Sequence, residues 1–169
     1  MIFLIGFMGS GKTHWGRKWA AKSGYDFIDL DERIEAREQM NIEKIFDKKG
    51  ESYFRVIEQQ ALHAIPFTER LVVSCGGGTP CFKDNMQWMN THGYTVYLHA
   101  NPAKLLENVS DQINKRPLIK KISKGEIIFF IDQKLKERAP FYEQAKLTLE
   151  VTDLNEETIF HIITQQQHA

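Results

Sequence analysis

Ile2-Phe3-Leu4-Ile5-Gly6-Phe7-Met8-Gly9-Ser10-Gly11-Lys12-Thr13 decides how the rest of the chain is read. Four apolar residues in a row predict a short strand buried on both faces. The eight residues that follow match G-x-x-x-x-G-K-[ST] at Gly6, Gly11, Lys12 and Thr13. A polyphosphate needs a ring of backbone N–H donors, and Gly6, Gly9 and Gly11 let the loop close around it. Lys12 is then expected to reach the β- and γ-phosphates, with the Thr13 hydroxyl a ligand for Mg²⁺. The following helix points its first N–H groups at the same anion. The alternative is a Gly-rich strand-to-helix turn with a solvated lysine. Placement directly after a buried strand and before a helical stretch favours the nucleoside-triphosphate site.

The chain has 169 residues, enough for one domain with its own core. Lys+Arg and Asp+Glu both number 22, so no net field draws it to nucleic acid or an anionic membrane. No apolar run has the length of a membrane span, and no signal-peptide pattern precedes the first strand. Cys75 and Cys81 are too few for a disulfide framework, and they lie outside C-x-x-C spacing. A cytoplasmic protein with ordinary thiols is expected, binding neither nucleic acid nor membrane.

Strand and helix patterns alternate from here without repeats. A helix after the loop ends near Ser23-Gly24, and Tyr25–Asp29 is strand-like. Helices are predicted over Glu32–Glu38, over Ile42–Lys49 between an Asn41 cap and Gly50, and over Ser52–Ile65. Leu71–Cys75 is the third strand. A helix marked by Met86 and Met89 closes at Gly93, and Tyr94–Leu98 is the fourth strand. Asn101-Pro102 opens another helix. The polar, basic stretch Ser110–Gly125 shows no apolar period. A long helix from Glu126, the strand Leu147–Val151 and a helix from Asn155 complete the chain, with fraying expected over Gln165–Ala169. Such alternation implies an α/β fold, a mostly parallel sheet covered on both faces.

Ligands of such sheets bind at the carboxyl ends of the strands. Strand two ends in Asp29-Leu30-Asp31, and period-2 geometry predicts both carboxylates on one face, towards the phosphate loop. One suits Mg²⁺, the other a general base for an attacking hydroxyl. Asp29 with Glu32 also resembles a helix capping box. Strand three ends in Gly76-Gly77-Gly78, bare backbone that a ligand can approach closely, or simply a flexible turn. Ser74 is placed to bond a metal-bound water. Arg55 lies off its helix's apolar stripe, where a surface pair with Glu58 competes with a binding role. Arg116 belongs to a basic run with Lys115, Lys120, Lys121 and Lys124, read as a solvated loop or a lid over phosphate. Arg138-Ala139-Pro140 closes the last long helix.

Taken together, the phosphate loop, Asp29-Leu30-Asp31, Phe54-Arg55-Val56-Ile57-Glu58, Gly76-Gly77-Gly78, Arg116-Pro117-Leu118 and Arg138-Ala139-Pro140-Phe141-Tyr142 resemble shikimate kinases along nearly the whole chain. The resemblance implies a three-layer P-loop fold like that of nucleoside-monophosphate kinases. Its features would be five parallel strands in the order 2-3-1-4-5, a mobile lid over about 110–125 and a substrate-binding helical region over about 32–65, all within one kinase domain spanning 1–169. It implies phosphorylation of the 3-hydroxyl of shikimate by ATP with Mg²⁺, in a monomer. Asp31 would hold the reacting hydroxyl and act as base, with Lys12 and Arg116 catalytic beside it. Asp29 and Thr13 would serve Mg²⁺. Gly9, Ser10, Gly11, Lys12, Thr13, His14 and Arg116 would contact the nucleotide. Arg55, Arg138 and Gly76 to Gly78 would bind the substrate carboxylate and hydroxyls, with Glu58 close by. Many members place an adenine-stacking arginine upstream of the lid, where this chain reads Leu106-Glu107-Asn108-Val109-Ser110.

Two other readings fit less well. Gluconate and nucleoside-monophosphate kinases share the loop but match the aspartate pair, glycine triplet and arginines less closely. A nucleotide-operated switch would use Asp47-Lys48-Lys49-Gly50 as D-x-x-G. That stretch falls at a helix end, and Asn114-Lys115-Arg116-Pro117 lacks the aspartate that reads guanine.

Overall fold

The computed structural model describes residues 1–110, 122–123 and 125–168. The chain runs β1 (Ile2–Ile5), α1 (Lys12–Ser23), β2 (Asp26–Asp29), α2 (Leu30–Glu38), α3 (Ile42–His63) and β3 (Leu71–Ser74). It continues through α4 (Asn85–His92), β4 (Tyr94–His99), α5 (Pro102–Val109), α6 (Ile127–Tyr142), β5 (Leu147–Glu150) and α7 (Thr158–Gln167). All strands pair in parallel, in the order β2-β3-β1-β4-β5. The α/β class and the strand order are those expected.

β1 is central because every side chain on it is apolar and can be buried on one face or the other. Phe3 and Ile5 join Ile34, Leu62 and Tyr142 on one side of the sheet. Ile2 and Leu4 join Trp19, Ile159 and Ile162 on the other. A third cluster, Phe7 with Leu105, Ile127 and Ile131, ties α5 and α6 to the start of the phosphate loop. The register pairs Leu4 with Ser74 and Ser74 with Asp29. β1, β3 and β2 therefore deliver the phosphate loop, the glycine triplet and Asp29 to one edge of the sheet.

The helix punctuation follows the sequence closely in places. Asn41 and Asn101 cap α3 and α5 by accepting from Lys44 N and Lys104 N. Gly50 breaks α3 with φ 80°, ψ 167°, a backbone shape that a Cβ strains.

Three expectations are corrected. Asp31 is not a strand residue: β2 stops at Asp29, and Asp31 lies in the first turn of α2, so the two aspartates do not share a strand face. The Asp29 side chain accepts from the backbone N–H groups of Asp31 and Glu32, and that cap turns the chain into helix. Next, α6 does not close at Pro140 but runs on to Tyr142, fully buried beside Tyr97 at a ring-centroid distance of 4.9 Å. Packing of that last turn outweighs the hydrogen bond a proline cannot donate. Last, α7 begins only at Thr158 and stays helical to Gln167 rather than fraying from Gln165.

Candidate active site

The phosphate loop takes three left-handed or otherwise glycine-only turns, at Gly6 (φ 141°), Gly9 (φ 83°) and Gly11 (φ 85°). α1 starts at Lys12 with no side chain capping it, which leaves its first N–H groups to an anion. Lys12 is buried, and its Nζ donates to Gly6 O (2.8 Å) and Phe7 O (2.9 Å). The lysine thus braces the loop that it belongs to. A cleft beside the loop takes in Gly9, Ser10, Gly11, Lys12, Thr13 and His14, and is closed by Lys104, Asn108 and Val151. Asn108 donates its amide to Gly9 O at 2.8 Å, and a Cβ on Gly9 would lie 2.7 Å from Val109 Cγ1. α5 is therefore seated directly on the loop.

Asp29 works with both oxygens. Oδ1 caps α2, and Oδ2 accepts from the Thr13 hydroxyl at 2.7 Å. Ser74 Oγ lies 3.3 Å from the same hydroxyl. Glu32 does not complete a capping box but pairs with Arg17. The capping geometry and the gathering of oxygens beside the phosphate loop coexist at one residue.

Across the strand ends, a second cleft brings together Asp31, Arg55, Glu58, the glycine triplet and Arg138, with Met8, Ile42, Phe46 and Phe54 as an apolar wall. Glu58 is fully buried. One of its oxygens accepts from Arg55 Nη1 at 2.6 Å and the other from the Thr79 hydroxyl at 2.6 Å. Burial works against the Arg55 cation, but Glu58 and Glu51 outweigh it and hold its pKa above the ordinary range. The Arg55–Glu58 pair is not a surface pair, because the turn after β3 folds over it. Thr79, which buttresses Glu58, carries no local sequence signal for that contact.

The glycine triplet also has a different physical reason from the one expected. None of the three has a positive φ. Instead, site side chains occupy the space that a Cβ would need. A Cβ on Gly76 would lie 2.5 Å from Glu58 Oε1 and 3.3 Å from Asp31 Oδ1. On Gly77 it would lie 3.2 Å from an Arg138 nitrogen, and on Gly78 2.6 Å from Arg55 Cζ. Gly78 has φ −96°, which alanine adopts freely. Gly78→Ala is therefore expected to destabilise through crowding alone, by about 1–3 kcal/mol. A thermal melt checks this, and an unchanged midpoint would show that Arg55 moves aside at no cost.

Neither thiol has the depressed pKa of an activated cysteine. Burial pushes the Cys81 thiol up to about 11 despite Arg138 and Arg55 nearby, and burial raises Cys75 further. Among the described residues, no three His, Cys, Asp or Glu side chains gather as a metal site, and no helix is long and apolar enough to cross a membrane. Lys115, Arg116, Lys120, Lys121 and Lys124, and with them most of the expected lid, lie outside the described residues.

With this geometry in place, the comparisons with known proteins are specific. The family model described as shikimate kinase matches residues 8–167. The chain belongs to the shikimate kinase family. A shikimate kinase of Phocaeicola vulgatus is 43% identical over 155 residues, covering 92% of this chain and 89% of that protein. The crystal structure of shikimate kinase from Bacteroides thetaiotaomicron superposes with a TM-score of 0.85 at 39% identity, covering 99% of this chain and 94% of that one. Shikimate kinase from Acinetobacter baumannii, solved in complex with shikimate, gives 0.86 at 31% identity, covering 96% and 90%. The family match runs from Met8, inside the phosphate loop, through both clefts and the helices that carry them.

Proposed function

We infer that this chain transfers the γ-phosphoryl group of ATP to the 3-hydroxyl of shikimate, giving shikimate 3-phosphate and ADP. The observation that carries this reading is the second cleft. Arg55 and Arg138 frame it, Asp31 faces it, and it opens beside the phosphate loop at the same sheet edge. A small carboxylate substrate favours arginine, whose planar fork matches two oxygens at once. The relative from Acinetobacter baumannii binds shikimate in its solved complex, which supports the same ligand for this member of the family.

In this mechanism the loop N–H groups and the first turn of α1 hold the nucleotide phosphates. Lys12 exchanges its loop carbonyls for β- and γ-phosphate oxygens. Arg55 and Arg138 fix the carboxylate, and the apolar wall of Ile42, Phe46 and Phe54 packs on the ring. Asp31 orients the 3-hydroxyl and accepts its proton as the new O–P bond forms and the bond to the β-phosphate oxygen breaks. The Thr13 hydroxyl, with Asp29 Oδ2 and Ser74 Oγ each within hydrogen-bond distance of it, gathers the hard oxygen donors that Mg²⁺ prefers. They would hold it directly or through water, and when bound its charge offsets that of the β- and γ-phosphates. Arg116, carried over from the family pattern, completes the phosphate contacts as the lid residue. The helical region over 32–65 is the part that grips substrate. The same reading expects a cytoplasmic monomer.

The test is a coupled ADP-release assay with shikimate against gluconate, quinate and nucleoside monophosphates. ADP release with shikimate alone is the expected result. Equal turnover on gluconate, or nucleotide hydrolysis indifferent to any acceptor, would overturn the assignment.

A further inference from the structure

Tyr142 has no part in the mechanism above, yet it is fully buried directly behind the substrate cleft. Its hydroxyl donates to Gly77 O at 2.5 Å. The Arg138 side chain, one helical turn earlier on α6, lies close enough for its charge to act on the phenol. Burial raises its pKa far above the ordinary range, so the donor proton stays in place throughout the working pH range. Around these three groups the packing is tight. Arg138 lies over the Phe7 ring at 5.2 Å, and its nitrogen lies 3.2 Å from the position of a Cβ on Gly77.

Gly77 and Arg138 come from different parts of the chain, the turn after β3 and the last turns of α6. No backbone pairing links them, and a helix carrying Pro140 two residues after Arg138 lacks one of its own hydrogen bonds there. The phenol ties the glycine turn to the end of α6, one helical turn from Arg138. We propose that Tyr142 is a positioning residue for substrate binding, a strut that sets the Arg138 guanidinium against the glycine turn at the spacing a bound carboxylate requires. It touches neither substrate nor nucleotide and acts only through Arg138 and Gly77. The proposal rests on the shikimate kinase reading, which makes this cleft the substrate site.

Tyr142→Phe removes only the hydroxyl and keeps the ring that packs on Tyr97. With the strut gone, the KM for shikimate is expected to rise about three- to thirtyfold, the worth of one buried hydrogen bond with its acceptor left unpaired. The kcat and the KM for ATP should stay within about twofold, because uniform binding is lost and transition-state contacts are not. Adding Tyr142→Phe to an Arg138→Ala protein should raise KM less than it does in the wild type, since one end of the strut is already gone. An unchanged KM for shikimate would overturn the proposal. So would losses that multiply in the double variant. A parallel fall in kcat, in both KM-linked parameters and in melting temperature would mark Tyr142 as a packing residue only, which overturns it too. Wild-type protein inactive on shikimate would instead sink the functional reading, so the two failures are distinguishable.

Discussion

Lys12→Ala is expected to lower ATP-dependent turnover by at least about 10³-fold, the scale of losing one preorganised charge-stabilising donor. The same variant should also be less stable, because Lys12 works before any nucleotide arrives. Its Nζ satisfies the carbonyls of Gly6 and Phe7 inside a buried loop. Alanine takes this donor from Gly6 O, while Phe7 O keeps the Ser10 N–H at 3.2 Å, so the loss is about 1–3 kcal/mol, the scale for one buried acceptor. The sequence alone suggests a variant that is inactive but intact, whereas the geometry predicts a double effect. Steady-state kinetics with a thermal melt checks both parts. Near-normal turnover in folded Lys12→Ala protein would remove the lysine from the phosphate site. Lost turnover with an unchanged melt would mean that the loop carbonyls find other partners.

The parts of the fold that were legible in the sequence are those decided locally. Four apolar residues leading straight into a phosphate-loop motif read as a doubly buried strand, and β1 is one, with its alternate side chains divided between two cores. Asn41, Gly50 and Asn101 carry their capping and breaking chemistry within a few residues of themselves, and all three act where the sequence places them. The errors come from competition that pattern alone does not weigh. Asp29-Leu30-Asp31 fits strand alternation and helix capping equally well. Two N–H groups satisfied at once by the Asp29 side chain settle it for the helix.

Burial at the site was the least legible property. On its own helix Arg55 sits beside the apolar stripe rather than on it, which reads as solvent-facing. Glu58, three residues on, is fully buried because Thr79 and the glycine turn close over it from another strand. Nothing within α3 records that closure. The triplet Gly76 to Gly78 was conspicuous for its composition, but its reason is the incoming Arg55, Glu58 and Arg138 side chains, which arrive from 18 to 61 residues away in sequence. Tyr142 was hidden for the same cause. Its partner Gly77 is 65 residues distant, and a tyrosine at a helix end reads as ordinary core.

The remaining large effect separates the two aspartates. Asp31→Asn keeps the size of the side chain and, as the first-turn position requires no carboxylate for capping, the start of α2. Asp29 supplies that cap through Oδ1. What is lost is the acceptor for the hydroxyl proton, so kcat should fall by roughly 10²–10⁴-fold, the usual contribution of a general base. Affinity for ATP should barely change, because Asp31 faces the second cleft, next to Gly76 and Glu58, and not the phosphate loop. Asp29→Asn should behave in the opposite way. Asparagine caps a helix as well as aspartate does, but the charge beside Thr13 disappears, and nucleotide binding in the presence of Mg²⁺ should weaken. Calorimetry of ATP binding and steady-state kinetics on both variants decide the matter. Collapse of ATP affinity in Asp31→Asn but not in Asp29→Asn would reverse the two roles. Near-normal kcat in Asp31→Asn would move the base to another residue of the cleft, with Glu58, already committed to Arg55 and Thr79, the poorer placed to serve.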